Sequence, residues 1–352
     1  FDYLDNIKWI LAVLVVLHHA AAVAGLDPFP INLPEVAQAH QWQYEVLGRF
    51  QSVNQGFFMS LFFFISAYFV LPSLTKKGSA RFMLGKLSRL GIPVLLTVAL
   101  IDPLAYWLAG DQGLGAAIPA AFGMYAKAWQ SWNLILGVTW FCWALIVFNA
   151  VYVLFRLARG TSGALQQPGP LPRAWAVMVF ALAMIPLNYL GLYAQHRLGE
   201  NFLGFHLLEF FPMYIAMFCA GILAWRRGWI EQLTWGHAFA GFAVWAVAAT
   251  FLSRETYLIC RPFTVLGMSV FLLVAFRSLF NATGPRRQWL SRSAYAAYVI
   301  QVLPLTLAGW LLLPHMTPWP LLNFVIVAVV SVPAAFVLGY GLTRLPLLRR
   351  VL

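Results

Sequence analysis

Three residues near the start of the chain have side chains suited to catalysis: Lys8, His18 and His19. An imidazole has an ordinary pKa of about 6.5, so near neutral pH it can accept a proton from a hydroxyl group. In an α-helix the steps from Lys8 to His19 turn about 1100° and rise about 16 Å, which puts both side chains within roughly 20° of one face. His18 lies roughly 80° from that face. The spacing predicts a cation and a base, His19, on one side of a helix.

Lys86 and Arg89 form a second pair of residues suited to ligand binding. Three residues apart in an α-helix, they would share a face. An ammonium and a guanidinium group at this spacing can hold phosphate groups. Both pairs also have a purely structural explanation. The basic residues would then mark the cytoplasmic ends of helices, and His19 would be a hydrogen-bonded interior group.

The elements that must position these residues are those of a membrane protein. Apolar residues make up 62% of the 352 residues and charged residues only 10%, with a mean hydropathy of +0.77. Soluble domains contain about 25% charged residues. The composition therefore excludes a disordered chain, a disulfide-rich secreted scaffold and a soluble nucleic-acid-binding protein. The net charge of +12 comes from basic residues in short loops between apolar runs, a pattern typical of membrane topology.

The apolar runs predict an all-α, polytopic integral membrane protein with about ten transmembrane helices, forming a single domain over residues 1–352. A spanning helix needs roughly 20 mostly apolar residues, whereas the strands of a membrane barrel are about half as long. The predicted spans are residues 7–25, 55–73, 90–108, 133–155, 174–194, 207–225, 235–252, 262–280, 293–313 and 321–343.

The distribution of Lys and Arg predicts the orientation in the membrane. With the N-terminus inside, 18 of the 23 Lys and Arg residues lie on the inner side, so both termini are expected in the cytoplasm. The long loops at 26–54 and 109–132 are then extracytoplasmic, and the length of the first suggests a functional cover. Within the spans, Asp102 and Glu209 are expected to form hydrogen bonds with neighbouring helices.

Four segments resemble, in the same order, those of the membrane acyltransferase 3 family. Asp5-Asn6-Ile7-Lys8 followed by His19 is similar to the family's basic residue and later His, with Lys in place of the usual Arg. Residues 62–69 are similar to an aromatic-Ser-Gly-Tyr segment, residues 86–93 to a basic-x-x-basic element that leads into a proline, and residues 293–300 to a Ser-Tyr-x-x-Tyr segment.

The chain departs from the family pattern at several positions. Ala67 stands where the family usually has Gly, and Gln301 stands where it often has His. Trp140 and Phe141 lack the polar residues that usually precede this pair, so we expect that segment to serve in packing. Residues 64–81 and 209–215 are most similar to the branch of the family that contains glucan biosynthesis protein C.

The resemblance implies an integral-membrane O-acyltransferase of the bacterial inner membrane. Its donor would be cytoplasmic acyl-CoA carrying an acetyl or succinyl group, and its acceptor a hydroxyl of a carbohydrate or similar molecule. His19 would be the general base, while Lys8, Lys86 and Arg89 would bind the phosphates of the donor. Acyl-CoA is then a co-substrate, and membrane lipid surrounds the chain. We expect no permanently bound cofactor, no metal and no nucleic-acid partner.

The polar residues inside the spans also fit a protein of a different class. A proton-coupled transporter or lipid flippase of about ten helices could use His19 and Glu209 as proton-carrying groups. The basic pair at 86 and 89 has no evident role in such a protein. The two classes differ in what they consume, because an acyltransferase releases the free thiol of CoA and a transporter moves its substrate unchanged.

Overall fold

The computed structural model describes residues 2–26, 29–31, 33–34, 40–110, 114–160, 166–282, 284–346, 348–349 and 351. Over these ranges the regular structure is helical and contains no β-strand, which confirms the predicted all-α fold. The α-helices, in chain order, are α1 (Asp2–Ala21), α2 (Gln41–Gln55), α3 (Phe58–Tyr68), α4 (Val70–Lys77), α5 (Ser79–Lys86), α6 (Ile92–Leu96), α7 (Asp102–Ala109), α8 (Leu114–Gln130), α9 (Trp140–Ala158), α10 (Ala174–Leu198), α11 (Phe211–Arg227), α12 (Trp229–Gln232), α13 (Trp235–Thr250), α14 (Tyr257–Leu279), α15 (Pro285–Ile300), α16 (Val302–Leu312) and α17 (Pro320–Arg344).

Eight helical segments of the described chain are long and apolar enough to cross a membrane, and the bent pair α15 and α16 makes a ninth if it counts as one span. The prediction of about ten spans differs at α13, which has 16 residues where a span over 235–252 was expected. A helix of that length measures about 24 Å, less than the roughly 30 Å of a bilayer core. The polytopic all-α architecture is confirmed.

Both predicted extracytoplasmic loops contain helices. α2 begins within 26–54, ends at Gln55 and continues through α3 and α4 as one helical run, Gln41–Lys77. α8 lies within 109–132. Polar side chains conceal α2 from a hydropathy scan, because its buried face includes Gln43, Gln51 and Asn54 beside Leu47. Residues 35–39, which belong to the first predicted loop, lie outside the described part of the chain.

The chain folds as two compact units, each assembled from three separate segments. The first comprises Phe1–Ile7, Gln55–Gly91 and Phe141–Ala282, and the second comprises Lys8–Asn54, Ile92–Trp140 and Thr283–Leu352.

In the first unit, helices approach closely where glycines face a neighbour. A Cβ added to Gly221 of α11 would lie 2.2 Å from the carbonyl oxygen of Phe64 in α3. Gly241 of α13 and Gly267 of α14 face each other at a similarly short distance. A Cβ on Gly267 would lie 2.4 Å from the carbonyl oxygen of Gly241. Small residues at such contacts let helix backbones pack directly in a membrane protein.

In the second unit, α1 packs with the helices of the C-terminal part. α15 crosses α17 where a Cβ on Gly339 would lie 2.6 Å from the backbone nitrogen of Ala297. The core joins α1 to α15, α16 and α17 through buried apolar side chains: Ala12, Val16, Ala20, Ala294, Ala297, Leu305, Ala308, Val327, Ala335 and Phe336.

The span formed by α15 and α16 is bent by 66° at Gln301. Pro304 explains the bend, because it has no N–H to donate to the carbonyl of Ile300 and its ring would clash with that carbonyl in a straight helix. The helix resumes where the amide of Leu305 donates to the carbonyl of Gln301 at 3.1 Å. Gln301 is completely buried at this break.

Candidate active site

His19 lies in the last turn of α1, before the helical run ends at Leu26. Its Nδ1 is 3.1 Å from Oε1 of Gln301, and its ring stacks on Phe29 with centroids 5.3 Å apart. Both contacts are made within the second unit. The half-buried imidazole is therefore held by a polar partner and by an aromatic ring.

Gln301 determines which nitrogen of His19 carries the proton. Nε2 of Gln301 donates to the carbonyl of Tyr298 at 2.9 Å, so the amide oxygen is the atom that faces the imidazole. An amide oxygen only accepts hydrogen bonds, and Nδ1 of His19 must therefore be the donor. In the neutral ring the lone pair is then on Nε2. A general base requires such a lone pair.

The pairing of Gln301 with His19 was not predicted from the sequence. The two residues are 282 positions apart, and the resemblance assigned Gln301 no role. One signal was available, because a side-chain amide stands three residues before Pro304 inside an apolar run. Breaks in spanning helices are tolerated where they are buried in protein, and they often accompany binding sites.

His18 has different surroundings from His19. Its ring meets that of His19 edge-on, with centroids 5.5 Å apart. Its carbonyl accepts a hydrogen bond from Nε2 of Gln51 at 3.0 Å, which fastens α2 to α1. The geometry thus gives His19 the bond to Gln301 and gives the backbone of His18 a part in holding α2.

The basic residues predicted to bind the donor lie in both units, Lys8 in the second and Lys86 and Arg89 in the first. Lys86 ends α5, with its ammonium 5.4 Å from the centroid of the Phe82 ring. Arg89 is exposed in a π-helical turn, Leu87–Gly91. Because the backbone bonds of a π-turn join residues five apart, the α-helical spacing behind the predicted shared face does not describe this pair.

Asp102, the first residue of α7, is buried against the backbone of Gly137. A Cβ on Gly137 would lie 2.3 Å from Oδ2 of Asp102, and its φ of +50° favours glycine. Burial, and then the charge of Asp102, raises the pKa of the Tyr125 hydroxyl on α8. Asp102 thus lies against neighbouring elements of the second unit. Within the described ranges, no group of three or more His, Cys, Asp or Glu side chains is arranged to hold a metal ion.

Two of the segments that resemble the acyltransferase 3 family contact neighbouring elements of the first unit, one through a hydrogen bond and one through an aromatic ring. Nδ2 of Asn6 donates to the carbonyl of Phe280 at 2.6 Å, just beyond the end of α14. Phe141 packs against Phe63 of α3, with ring centroids 4.7 Å apart and the rings edge-on. Phe141 thus makes a packing contact, while the role of its segment stays a prediction.

Comparison with protein families gives a match over almost the whole chain. The family model of acyltransferase 3, described as an acyltransferase domain, matches residues 1–340. Comparisons with curated proteins and with solved structures found no match. The family match confirms the resemblance drawn from the sequence segments, while the branch within the family stays a prediction. With its apolar helices and this match, the chain belongs to the acyltransferase 3 family and is a multi-pass membrane acyltransferase.

Proposed function

We propose that the protein is an O-acyltransferase that moves an acyl group from acyl-CoA to a hydroxyl of a carbohydrate or similar acceptor. The observation that carries this proposal is the hydrogen bond between His19 and Gln301, which puts the proton on Nδ1 and the lone pair on Nε2 of the imidazole. A hydroxyl is a poor nucleophile near neutral pH. A base in this state can take up its proton during the attack.

In the proposed reaction, the acceptor oxygen attacks the carbonyl carbon of the thioester while Nε2 of His19 takes the hydroxyl proton. The new C–O bond forms, the C–S bond breaks and the CoA thiolate leaves. The imidazolium then gives its proton to the sulfur, so the products are an ester and CoA with a free thiol. Gln301 accepts from Nδ1–H throughout and stabilises the positive charge that the ring carries during transfer.

Lys8, Lys86 and Arg89 are proposed to bind the phosphates of the donor. Their charge supports this role, since ammonium and guanidinium groups form strong hydrogen bonds with phosphate oxygens. Their predicted position on the cytoplasmic side of the membrane also supports it, because acyl-CoA would enter from there. The protein would lie in the bacterial inner membrane with both termini in the cytoplasm, and the acyl group would be acetyl or succinyl.

The purified protein in detergent, supplied with acetyl-CoA or succinyl-CoA and a glycan acceptor, tests the proposal. We expect free thiol to be released in proportion to the ester formed. Intact-mass analysis of cell-surface glycans, from cells with and without the protein, should show an added mass that identifies the acyl group. Movement of an unmodified substrate with no thiol release would contradict the proposal and support a proton-coupled transporter or flippase.

A further inference from the structure

A second polar cluster lies in the first unit, around Arg261 of α14. Arg261 is only 2% exposed, although it carries a charge inside an apolar helix. Its guanidinium carbon is 3.7 Å from the centroid of Phe210 and 5.3 Å from that of Tyr214. The faces of these rings favour its positive charge. The reaction proposed at His19 makes no use of this cluster.

Two of the N–H donors of the Arg261 guanidinium are left without an acceptor in the described part of the chain. Its Nε and Nη2 are buried and have no hydrogen-bond partner among the described residues. These two N–H groups lie along one edge of the planar fork, where a ligand can accept two parallel hydrogen bonds. Buried donors are nearly always satisfied in native proteins. The arrangement therefore indicates an acceptor group that binds at this edge.

The cluster also contains an acidic side chain, which is hydrogen-bonded to α14 one helical turn before Arg261. Glu209 is 8% exposed, and its Oε2 accepts a hydrogen bond from the hydroxyl of Tyr257 at 2.6 Å. Its negative charge acts on Arg261. Nε2 of Gln55 donates to the hydroxyl of Tyr214 at 3.4 Å. The cluster thus combines a cation, an anion and a side-chain amide with three aromatic rings.

We propose that this cluster is a binding site for a neutral polyhydroxylated ligand of the sugar class. Two neighbouring hydroxyl oxygens can accept from Nε and Nη2 of Arg261, and a hydroxyl can donate to the carboxylate of Glu209. A phosphate fits less well, because the carboxylate of Glu209 would repel it. That the sugar is the acyl acceptor rests on the proposed function, whereas its binding does not.

Binding of neutral sugars to the purified full-length chain, measured without acyl-CoA, tests this site. Saturation-transfer NMR with a panel of methyl glycosides in detergent gives the affinities. Arg261→Lys keeps the charge but loses the paired donors, and Glu209→Gln removes the negative charge while keeping the shape. We expect each variant to weaken binding about tenfold or more. Arg254→Lys, at an exposed position, is the matched control and should bind like the wild type.

Several outcomes would overturn the proposal. They are equal binding by the wild type and Arg261→Lys, no binding of any glycoside in the panel, and binding of inorganic phosphate alone that tightens in Glu209→Gln. Variants are compared at matched thermal stability in detergent. If Arg261→Lys does not fold, Tyr257→Phe, which removes the bond that orients Glu209, takes its place and should also weaken binding. Sugar binding by a wild-type chain that releases no thiol would support this site and overturn only the proposed function.

Discussion

His19 and His18 are adjacent residues with different partners, and replacing each separates their roles. His19→Ala removes the proposed base, and loss of a general base lowers the rate about 10²–10⁴-fold. His18→Ala removes a ring that meets His19 edge-on but keeps the carbonyl that Gln51 binds, so we expect a much milder effect. Thiol release by the two variants is compared at matched expression and stability. An inactive His18→Ala beside an active His19→Ala would contradict the assignment.

Gln301 is expected to be a positioning residue for His19. Gln301→Ala should lower kcat about two- to tenfold with little change in the KM for the donor, because a neutral hydrogen bond contributes about 0.5–1.5 kcal/mol. Gln301→Glu places a carboxylate beside the ring and stabilises its protonated form, so activity should rise only at higher pH than in the wild type. The measurement is the pH dependence of kcat. Thr306→Val, a buried change in α16, is the control, and a profile unmoved by Gln301→Glu would exclude the positioning role.

The donor-binding role of Lys86 and Arg89 is tested by replacing both with Ala. A charge-assisted hydrogen bond contributes about 1.5–3 kcal/mol, so the KM for acyl-CoA should rise about tenfold or more. The kcat should change little, because phosphate contacts are made equally in the ground and transition states. Lys127→Ala, at an exposed position on the predicted opposite side, is the control. Unchanged donor affinity in the double variant would indicate that both residues only mark the cytoplasmic ends of helices.

The position of one residue relative to another was predictable from the sequence only where both residues lie in the same helix. The prediction that Lys8 and His19 share one face of a helix requires only the period of an α-helix. Gln301 meets His19 across 282 residues, and no local pattern encodes that contact. Arg261 lies just outside the span predicted at 262–280, but α14 begins at Tyr257 and includes Arg261 within the helix.

Among the helices, the bent span of α15 and α16 makes a prediction about Pro304. Pro304→Ala restores an N–H that can donate to the carbonyl of Ile300 and removes the clash with the ring. A straighter helix would move Gln301 away from His19, so kcat should fall at least as far as in Gln301→Ala, with no loss of thermal stability. Pro333→Ala, in α17 and exposed, is the matched control. Full activity in Pro304→Ala would show that the bend does not position Gln301.

A Gly→Ala change at the close crossing of α3 and α11 should have the opposite effect on stability from the same change at an open position of α2. Gly221→Ala places a methyl group 2.2 Å from the carbonyl oxygen of Phe64, and overpacking of this kind is destabilising by about 1–3 kcal/mol. Gly48→Ala meets nothing within 4 Å and should stabilise α2 slightly, because Ala has the higher helix propensity. Thermal unfolding in detergent measures both. Equal melting temperatures for the two variants would contradict the direct backbone contact.

The spanning helices were predictable because a bilayer imposes a length on every apolar helix that crosses it. The length rule did not find α2 and α8, because hydropathy assigned their segments to loops between the spans. The π-helical turn at Leu87–Gly91 leaves no composition signal. Arg89 lies in this turn, so α-helical spacing does not describe its position relative to Lys86.

For the molecule as a whole, the predicted topology is tested on the helical run Gln41–Lys77. Glu45 and Lys77 are exposed near its two ends. Because basic residues favour the cytoplasmic side, a membrane-impermeant thiol reagent should label Glu45→Cys in intact cells and Lys77→Cys only after the membrane is opened. The background lacks the native Cys142, Cys219 and Cys260. Labelling of both positions from one side would overturn the orientation and the proposed entry of the donor.

The division into two units was not predictable from hydropathy, because hydropathy identifies each span separately. Each unit consists of segments that alternate along the chain with those of the other. The apolar runs predicted one domain over residues 1–352. The family resemblance supplied the order of the segments but not which of them pack together. That assignment depends on small-residue contacts such as Gly339 with Ala297, which pair positions far apart in the sequence.

The interleaving of segments has a consequence for biosynthesis. The ribosome makes α1 before α15 and α16, and Gln301 follows 282 residues after His19. At about 5–20 residues per second, that interval lasts about 15–55 s. During this time the newly made α1 has no access to the side chain that sets its tautomer. A nascent chain therefore gains the hydrogen bond that positions His19 only after Gln301 has been made.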